Sequence, residues 1–159
     1  MSAQQTVTEF TDAGHAGRAQ DLISSVKDIR VFDAMRPGLI TCSPRASLFD
    51  VAHLMASSGA HAIVVWGDED TDSEGIWGVI SDSDLITAAA EGVRSAESAV
   101  GVAGARIVRI GMDESLDTAA VLMHTNSVTH LVVVSGKGHP TGILSALDVA
   151  RAATQPHPK

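Results

Sequence analysis

The chain has 159 residues, which suits one compact domain or two very small ones. Its composition, 45% hydrophobic and 19% charged, is ordinary for a soluble globular protein, and no apolar run approaches the roughly 20 residues that span a bilayer. The net charge of −8 argues against a nucleic-acid partner, and the single cysteine, Cys42, excludes an internal disulfide and a zinc site of several thiolates. The N-terminus lacks a secretory signal pattern, so we expect a cytoplasmic protein with no membrane partner.

The first half of the chain combines strand-like and helix-like patterns. Residues 1–17 are predicted to be flexible from their composition, and short helical patterns follow within residues 18–35. Ser47 is a helix N-cap candidate with Asp50 three residues on, the spacing of a capping box. The elements predicted next are a strand at 39–42, a helix between Ser47 and Gly59, a hairpin of strands at 62–66 and 76–80, and a helix at 83–90.

The second half repeats this order of elements. We divide the chain into a first motif with its leading helix at 18–90, a linker at 91–105, a second motif at 106–153 and a flexible tail at 154–159. The predicted elements of the second motif are a strand at 107–110, a helix capped by Ser115, a hairpin of strands at 131–134 and 141–144, and a helix at 147–153.

The two halves align as copies of one pattern. Ser47-Leu48 matches Ser115-Leu116 at an offset of 68 residues, whereas the segment starting at Gly78 matches the one starting at Gly142 at an offset of 64. The length difference falls on an acidic insert between the hairpin strands of the first copy, which indicates a surface loop. Neither half can bury both faces of so small a sheet, so we expect the halves to pack as one pseudo-symmetric domain.

Several segments of both copies resemble the CBS (cystathionine-beta-synthase motif) family. They are VFDAM, SLFDVAHLM, HAIVVW and GVISDSDL in the first copy and SLDTAAVLM, THLVVV and GILSALDV in the second, within residues 31–153. Both copies carry the pattern Gly-apolar-apolar-Ser-x-x-Asp directly after a hairpin strand. The resemblance implies an α/β (α+β) fold, in which two β-α-β-β-α CBS motifs form one pseudo-twofold module as a stand-alone tandem pair.

The resemblance also implies an adenosyl ligand in a cleft between the motifs. An AMP-like nucleotide is favoured, with ADP and ATP as further candidates. Asp84 and Asp148 would bind the ribose hydroxyls, because a carboxylate can accept both O–H groups of a cis diol. The other implied ligand-binding residues are Ser81 and Ser145 at the ribose or phosphate, Ile40, Thr41, Val108 and Arg109 beside adenine, His61, Ala62, Thr129 and His130 facing base or phosphate, and the apolar Val79 and Ile143.

This sequence departs from the family where phosphates are held. Family members that bind phosphates well usually carry Arg or Lys just ahead of the first hairpin strand, whereas here only His61 and His130 occur. A histidine supplies less positive charge than an arginine at neutral pH. We therefore expect few phosphates on the ligand and a stronger site at Asp148, with His130 as its candidate cation and Arg109 reaching the Asp84 site. Affinity for a monophosphate should rise as the pH falls towards ~6.5.

Plainer interpretations exist for these features. Ser-x-x-Asp at a helix start is also an ordinary capping box. The loop DEDTDSEG lacks the glycine and glutamate of an EF-hand, so it is interpreted as a solvated hairpin tip, and the histidine spacing predicts no metal site. Cys42 is interpreted as a small strand residue. No catalytic residue or catalytic cofactor is predicted.

Two functions remain open from the sequence. The favoured one is a non-enzymatic regulatory sensor that forms a homodimer and signals to an unknown protein target in trans. The alternative is a structural or protein-interaction dimer whose nucleotide clefts are empty or non-functional. An enzyme acting on adenosyl compounds is poorly supported, because the sequence brings no nucleophile and base together.

Overall fold

A computed structural model describes residues 26–67, 75–103 and 107–154 of the chain. The short first helix, α1, spans Val31–Ala34, and the other helices are α2 (Leu48–Ser58), α3 (Asp82–Ala90), α4 (Ala99–Val102), α5 (Leu116–Asn126) and α6 (Ala146–Thr154). The strands are β1 (Arg36–Pro37), β2 (Thr41–Cys42), β3 (Ala62–Gly67), β4 (Gly75–Ser81), β5 (Arg109–Gly111), β6 (His130–Val134) and β7 (Pro140–Ser145). The predicted α/β class and the repeated β-α-β-β-α order are confirmed.

Each motif contributes one small mixed sheet. The first sheet has the strand order β2-β3-β4, and the second has the order β1-β7-β6-β5. Both hairpins are antiparallel and equivalent in register, with Val64 opposite Val79 and Val132 opposite Ile143. In both motifs the strand ahead of the long helix pairs in parallel with the first hairpin strand. The acidic insert predicted as a hairpin tip lies outside the described residues, as do the N-terminal segment and the C-terminal tail.

The long helices bury one apolar stripe each. In α2 the buried side chains are Leu48, Val51 and Met55, and in α5 they are Leu116, Ala119 and Met123. Ser47 caps α2 as predicted: its hydroxyl accepts from the Asp50 amide while the Asp50 side chain accepts in return. Ser115 is the N-cap residue of α5 as predicted, but its hydroxyl lies 3.0 Å from the Thr118 hydroxyl and makes no capping bond to the backbone. The second motif has Thr118 at the position that corresponds to Asp50, so it offers a hydroxyl instead of a carboxylate.

The segment leading into each motif packs against the other motif. Val26 and Val31 belong to the core of the second motif, and Ala99 belongs to the core of the first. The backbone bonds are reciprocal: the Val31 amide donates to Glu114 (2.8 Å), and the equivalent Ala99 amide donates to Ala46 (2.7 Å). The two motifs are therefore interlocked by their leaders, and the halves form one unit.

The leader of the first motif continues into β1, which extends the sheet of the second motif. Arg36 pairs with Ile143 and Pro37 with Gly142, in antiparallel register. Gly142 makes this pairing possible, because a Cβ atom there would overlap the Arg36 carbonyl oxygen. Gly38 then turns the chain towards β2, and its amide donates to Thr141 (2.8 Å). This route places the β1–β2 connection along the boundary between the two motifs.

None of the helices in the described part of the chain is both long and apolar enough to cross a lipid bilayer.

Candidate ligand-binding cleft

A cleft of about 260 Å³ opens between the two motifs. Its first wall is the β1–β2 connection together with the end of α2 and the start of β3, and its second wall comes from β6, β7 and α6. The lining residues are Arg36, Pro37, Gly38, Leu39, Ile40, Ser58, Ala60, His61, Ala62, His130, Ile143, Ser145 and Asp148. The lining combines apolar side chains with a few polar and charged groups, as in many small-molecule sites.

The polar end of the cleft is built on the first turn of α6. The Asp148 carboxylate is buried, with a residue exposure of 6%, and its Oδ2 accepts from the Ser145 hydroxyl (2.6 Å) and the Ser145 amide (2.9 Å). Its Oδ1 lies 3.8 Å from Arg36 Nε and 3.7 Å from an Arg151 guanidinium nitrogen. The carboxylate is thus fixed through one oxygen, while the other oxygen faces two cations at a distance longer than a hydrogen bond.

The same serine–aspartate cap occurs at three helix starts. Ser81 Oγ donates to Asp84 Oδ2 (2.7 Å) and Ser47 Oγ donates to Asp50 Oδ2 (2.6 Å), as in the Ser145–Asp148 pair. The capping-box interpretation of this motif is therefore confirmed as geometry. Because Asp50 makes the same cap outside the cleft, the cap alone does not indicate a ligand site. Among the three aspartates, only Asp148 lines the cleft.

The two histidines of the cleft differ in their surroundings. His61 is exposed, and its Nδ1 lies 2.9 Å from Asp82 Oδ2, a contact that lowers the pKa of the Asp82 carboxyl. His130 is half-buried, with Nδ1 3.0 Å from the Thr129 hydroxyl and Nε2 buried without a hydrogen-bond partner among the described residues. The pKa of His130 is lowered, mainly because burial penalises the charged imidazolium.

The lowered pKa of His130 corrects its expected role as the main cation. Asp82, Asp148 and Asp84 act on the ring to favour its charge, whereas His61 disfavours it, and desolvation outweighs the three carboxylates. His130 is therefore neutral at pH 7. Protonation, and any gain in affinity for an anion, moves to a lower pH than the ~6.5 expected of an unperturbed histidine.

Half of the residues that the sequence points to line this cleft. They are Ile40, His61, Ala62, His130, Ile143, Ser145 and Asp148. The other seven do not line it: Thr41, Val79, Ser81, Asp84, Val108, Arg109 and Thr129. Residues 104–106, which correspond to residues 36–38 in the repeat, lie outside the described residues.

Sequence reasoning missed Arg36. This residue lies between the helical patterns of residues 18–35 and the first strand of the aligned repeat, where the sequence predicts no element. It reaches the cleft because β1 crosses to the sheet of the second motif. The one sequence signal for it is the Arg-Pro pair directly after VFDAM, which shows neither the crossing nor its destination.

The sequence profile of the CBS domain matches residues 26–91 and 102–154. The chain belongs to the CBS-domain family. The two matched segments make it a tandem CBS pair, and the predicted resemblance is confirmed. Among curated proteins, none is similar enough in sequence to stand as a relative of this chain.

Solved structures of other CBS proteins share the fold. A CBS domain protein from Pyrobaculum aerophilum complexed with AMP is 21% identical, with a TM-score of 0.66, over 80% of this chain and 100% of the other. A CBS-domain protein from Agrobacterium tumefaciens is 22% identical, with a TM-score of 0.67, over 77% and 89%. The CBS domain pair of protein MJ0100, in complex with 5′-methylthioadenosine and S-adenosyl-L-methionine, is 20% identical, with a TM-score of 0.64, over 77% and 93%.

Proposed function

We propose that this CBS pair is a non-enzymatic regulatory module that binds an adenosyl ligand, an AMP-like nucleotide, in the cleft between its motifs. The observation that carries the proposal is the lining of the cleft. The buried carboxylate of Asp148 lies near a cation, Arg36, and apolar side chains such as Leu39, Ile40 and Ile143 also line the cleft. A nucleotide needs this combination of acceptor, cation and apolar surface.

Each part of such a ligand has a matching group. The Ser145 amide and hydroxyl both donate to Oδ2 of Asp148. The other oxygen, Oδ1, remains available to accept a hydrogen bond from a ribose diol. The base packs against the apolar wall that contains Ile40, and the Nε2 of His130 supplies a polar atom without a partner in the described structure. The volume of about 260 Å³ lies near the lower end of ligand pockets, which favours a nucleoside or mononucleotide over a triphosphate.

The solved CBS structures support the adenosyl class. One of them is a complex with AMP and another is a complex with 5′-methylthioadenosine and S-adenosyl-L-methionine. These compounds share an adenosyl group and differ in charge. The shared group is the part that we assign to the cleft of this chain.

The hydrogen bonding of the cleft favours binding over catalysis. The Ser145 hydroxyl donates to Asp148, and the imidazoles of His61 and His130 contact Asp82 and Thr129 respectively. The hydroxyl is therefore held by a cap. His130 lies opposite Ser145 across the hairpin, but its Nδ1 contacts the Thr129 hydroxyl, and no hydrogen bond joins either imidazole to the Ser145 hydroxyl among the described residues. A ligand that prefers one arrangement of the two motifs would shift the balance between arrangements, and a protein partner in trans would respond to the shift.

A homodimer fits the surface of the helices. Large apolar side chains are exposed on the four longer helices, namely Phe49 on α2, Ile86 on α3, Val121 on α5 and Leu147 on α6. Side chains of this kind mark an interaction surface where they form one contiguous apolar patch, which a dimer would bury. The second candidate function, a structural or interaction dimer with empty clefts, depends on this surface alone. Light scattering at increasing protein concentration tests the dimer.

Calorimetry with AMP, ADP, ATP and 5′-methylthioadenosine tests the main proposal. We expect an adenosyl compound to bind, and Asp148→Ala to weaken its binding by about 10-fold to 150-fold, the range for a hydrogen bond to a charged group. Asp50→Ala is the matched control, because it removes the same cap from a helix start outside the cleft. If none of the compounds binds the wild-type protein, the interaction dimer becomes the better hypothesis.

A further inference from the structure

We propose that Arg36 selects the charge class of the ligand, favouring an adenosyl compound with one phosphate over an uncharged or cationic one. This inference rests on the proposed function and adds to it a determinant of specificity. It concerns a residue that the family resemblance did not point to.

The backbone of Arg36 is held firmly while its side chain reaches the cleft. Strand β1 pairs with β7 on one side, and the turn after it is tied by the bond from the Gly38 amide to Thr141. The guanidinium itself is half exposed, with a side-chain exposure of 52%. The backbone therefore holds Arg36 at the cleft wall. Its guanidinium can turn towards a ligand without any movement of the strand.

Arg36 is the one side chain of permanent positive charge among the described residues that line the cleft. The other two basic lining residues are histidines. His61 contacts Asp82, and burial keeps His130 neutral at pH 7. A phosphate therefore meets one dependable cation. Arginine suits this task because its planar guanidinium matches two phosphate oxygens at once.

Turning Arg36 towards a ligand does not leave Asp148 without a cation. Arg151, one helical turn further along α6, lies 3.7 Å from the same Oδ1. The Arg36–Asp148 contact is also weak, because its 3.8 Å separation is longer than a hydrogen bond and the Arg36 guanidinium is half exposed to solvent. A phosphate can thus recruit Arg36 while Arg151 stays beside the buried carboxylate.

The same arrangement disfavours other adenosyl compounds. An uncharged ligand gains nothing from the guanidinium, and a sulfonium cation is repelled by it. A triphosphate brings more negative charge than one arginine can neutralise. The expected order of affinity is therefore AMP above adenosine and above S-adenosyl-L-methionine.

Arg151 provides a matched control for the test. It approaches the same oxygen of Asp148 at nearly the same distance, and its exposure of 56% is similar to that of Arg36, but it does not line the cleft. Replacing either arginine removes a cation from Asp148. Only Arg36→Gln removes a cation from the ligand site.

The experiment measures Kd for AMP and for adenosine by calorimetry in wild type, Arg36→Gln, Arg36→Lys and Arg151→Gln, with circular dichroism to check folding. The wild type should bind AMP at least about tenfold more tightly than adenosine, and Arg36→Gln should reduce that preference by about tenfold. Arg36→Lys should keep part of the preference, and Arg151→Gln should keep it in full. In the wild type alone, high salt should reduce the preference, because it screens a partly exposed charge.

The failures of the two proposals are distinguishable. If adenosine and AMP bind the wild type equally well, or if Arg151→Gln changes the preference as much as Arg36→Gln, the adenosyl site stands and the role of Arg36 is refuted. If Arg36→Gln fails to fold, an AMP preference in the wild type that is insensitive to salt refutes it instead. If neither compound binds, the proposed function fails and the inference fails with it.

Discussion

The two serine–aspartate corners of this molecule are nearly identical in local geometry and differ in their neighbours. Ser81 and Asp84 make the same three cap contacts as Ser145 and Asp148, within 0.2 Å of each other. Asp148, however, is buried, lines a cleft and lies near two arginines. Asp84 is half-buried and does not line that cleft.

The difference comes from the segment that crosses over from the other motif. Strand β1 brings Arg36 to the corner at Asp148. The residue at the equivalent position of the repeat, 68 further on, is Gly104, which has no side chain to offer and lies outside the described residues. A conserved local geometry thus does not make two equal sites. The residues that the other motif contributes to each corner make the two sites different.

We expect the largest loss of stability from a change at the contact between β1 and β7. Gly142→Ala places a methyl group against the Arg36 carbonyl, so the strand must shift, at a cost of about 1–3 kcal/mol in the free energy of unfolding. The shift should also weaken AMP binding. Urea denaturation and calorimetry measure the two effects.

Gly136→Ala is the control for this prediction. Gly136 lies in the turn before β7, and a Cβ atom there meets nothing within 4 Å. Its unfolding free energy should change by no more than about 0.5 kcal/mol. Equal stability of both variants would show that β1 is not held against β7 in solution.

We expect Asp148 and Asp84 to differ in how much each contributes to the free energy of unfolding. Asp148→Ala removes the cap bonds of a buried carboxylate and leaves Arg36 and Arg151 without their shared anion, so it should cost about 2 kcal/mol. Asp84→Ala removes the same cap at a half-buried position and should cost about 1 kcal/mol. The expected loss of stability in Asp148→Ala is larger than the loss expected for a carboxylate in an open cleft, because Asp148 is buried. Equal costs would remove the contrast between the two corners.

The ends of the two long helices offer a smaller comparison. Gly59 and Ser127 occupy the same position of the repeat, and both are left-handed, with φ of 66° and 55°. Serine is strained there and glycine is not. Ser127→Gly should therefore raise the free energy of unfolding by about 0.5–1 kcal/mol, and Gly59→Ser should lower it by a similar amount. Thermal unfolding of both variants checks the opposite signs, and a change of the same sign in both would contradict the prediction.

The pH dependence of His130 should be the smallest effect. Its pKa is lower in the folded protein than in the unfolded chain, so the unfolded chain binds more protons once the pH falls below ~6.5. The stability of the wild type should fall as the pH decreases from 7 through this range. His130→Gln should lose that part of the dependence.

The carboxylate of Asp82, whose pKa is lowered, does not interfere with this measurement. It loses its contribution only as the pH falls below its ordinary value of 3.8 and through its lower folded value. Above pH 5, the difference in urea midpoint between the wild type and His130→Gln therefore reports on His130 without a contribution from Asp82. A wild-type slope that is unchanged in His130→Gln would show that the ring is not desolvated in solution.

The sequence predicts those features of the fold that depend on neighbouring residues. The cap of Ser47 and Asp50, the glycine end of α2 and both hairpins are encoded within a few residues, and the hairpin pattern occurs in both copies. The crossing of β1 is different, because Arg36 and Ile143 are brought together only by the packed halves. The burial that lowers the pKa of His130 also arises at that boundary, so no local pattern indicates it.

The reciprocal leaders have a consequence for the order in which the chain can fold. Val31 and β1 are synthesised before their partners in β7 and α6, and most of the two motifs lies between them in the sequence. During translation the first motif can form its own hairpin, yet its leader has no sheet to join until the second hairpin has left the ribosome. Closing so long a loop is entropically costly and slows folding. The cleft, whose walls come from both ends of this loop, is therefore completed only when the whole pair has been made.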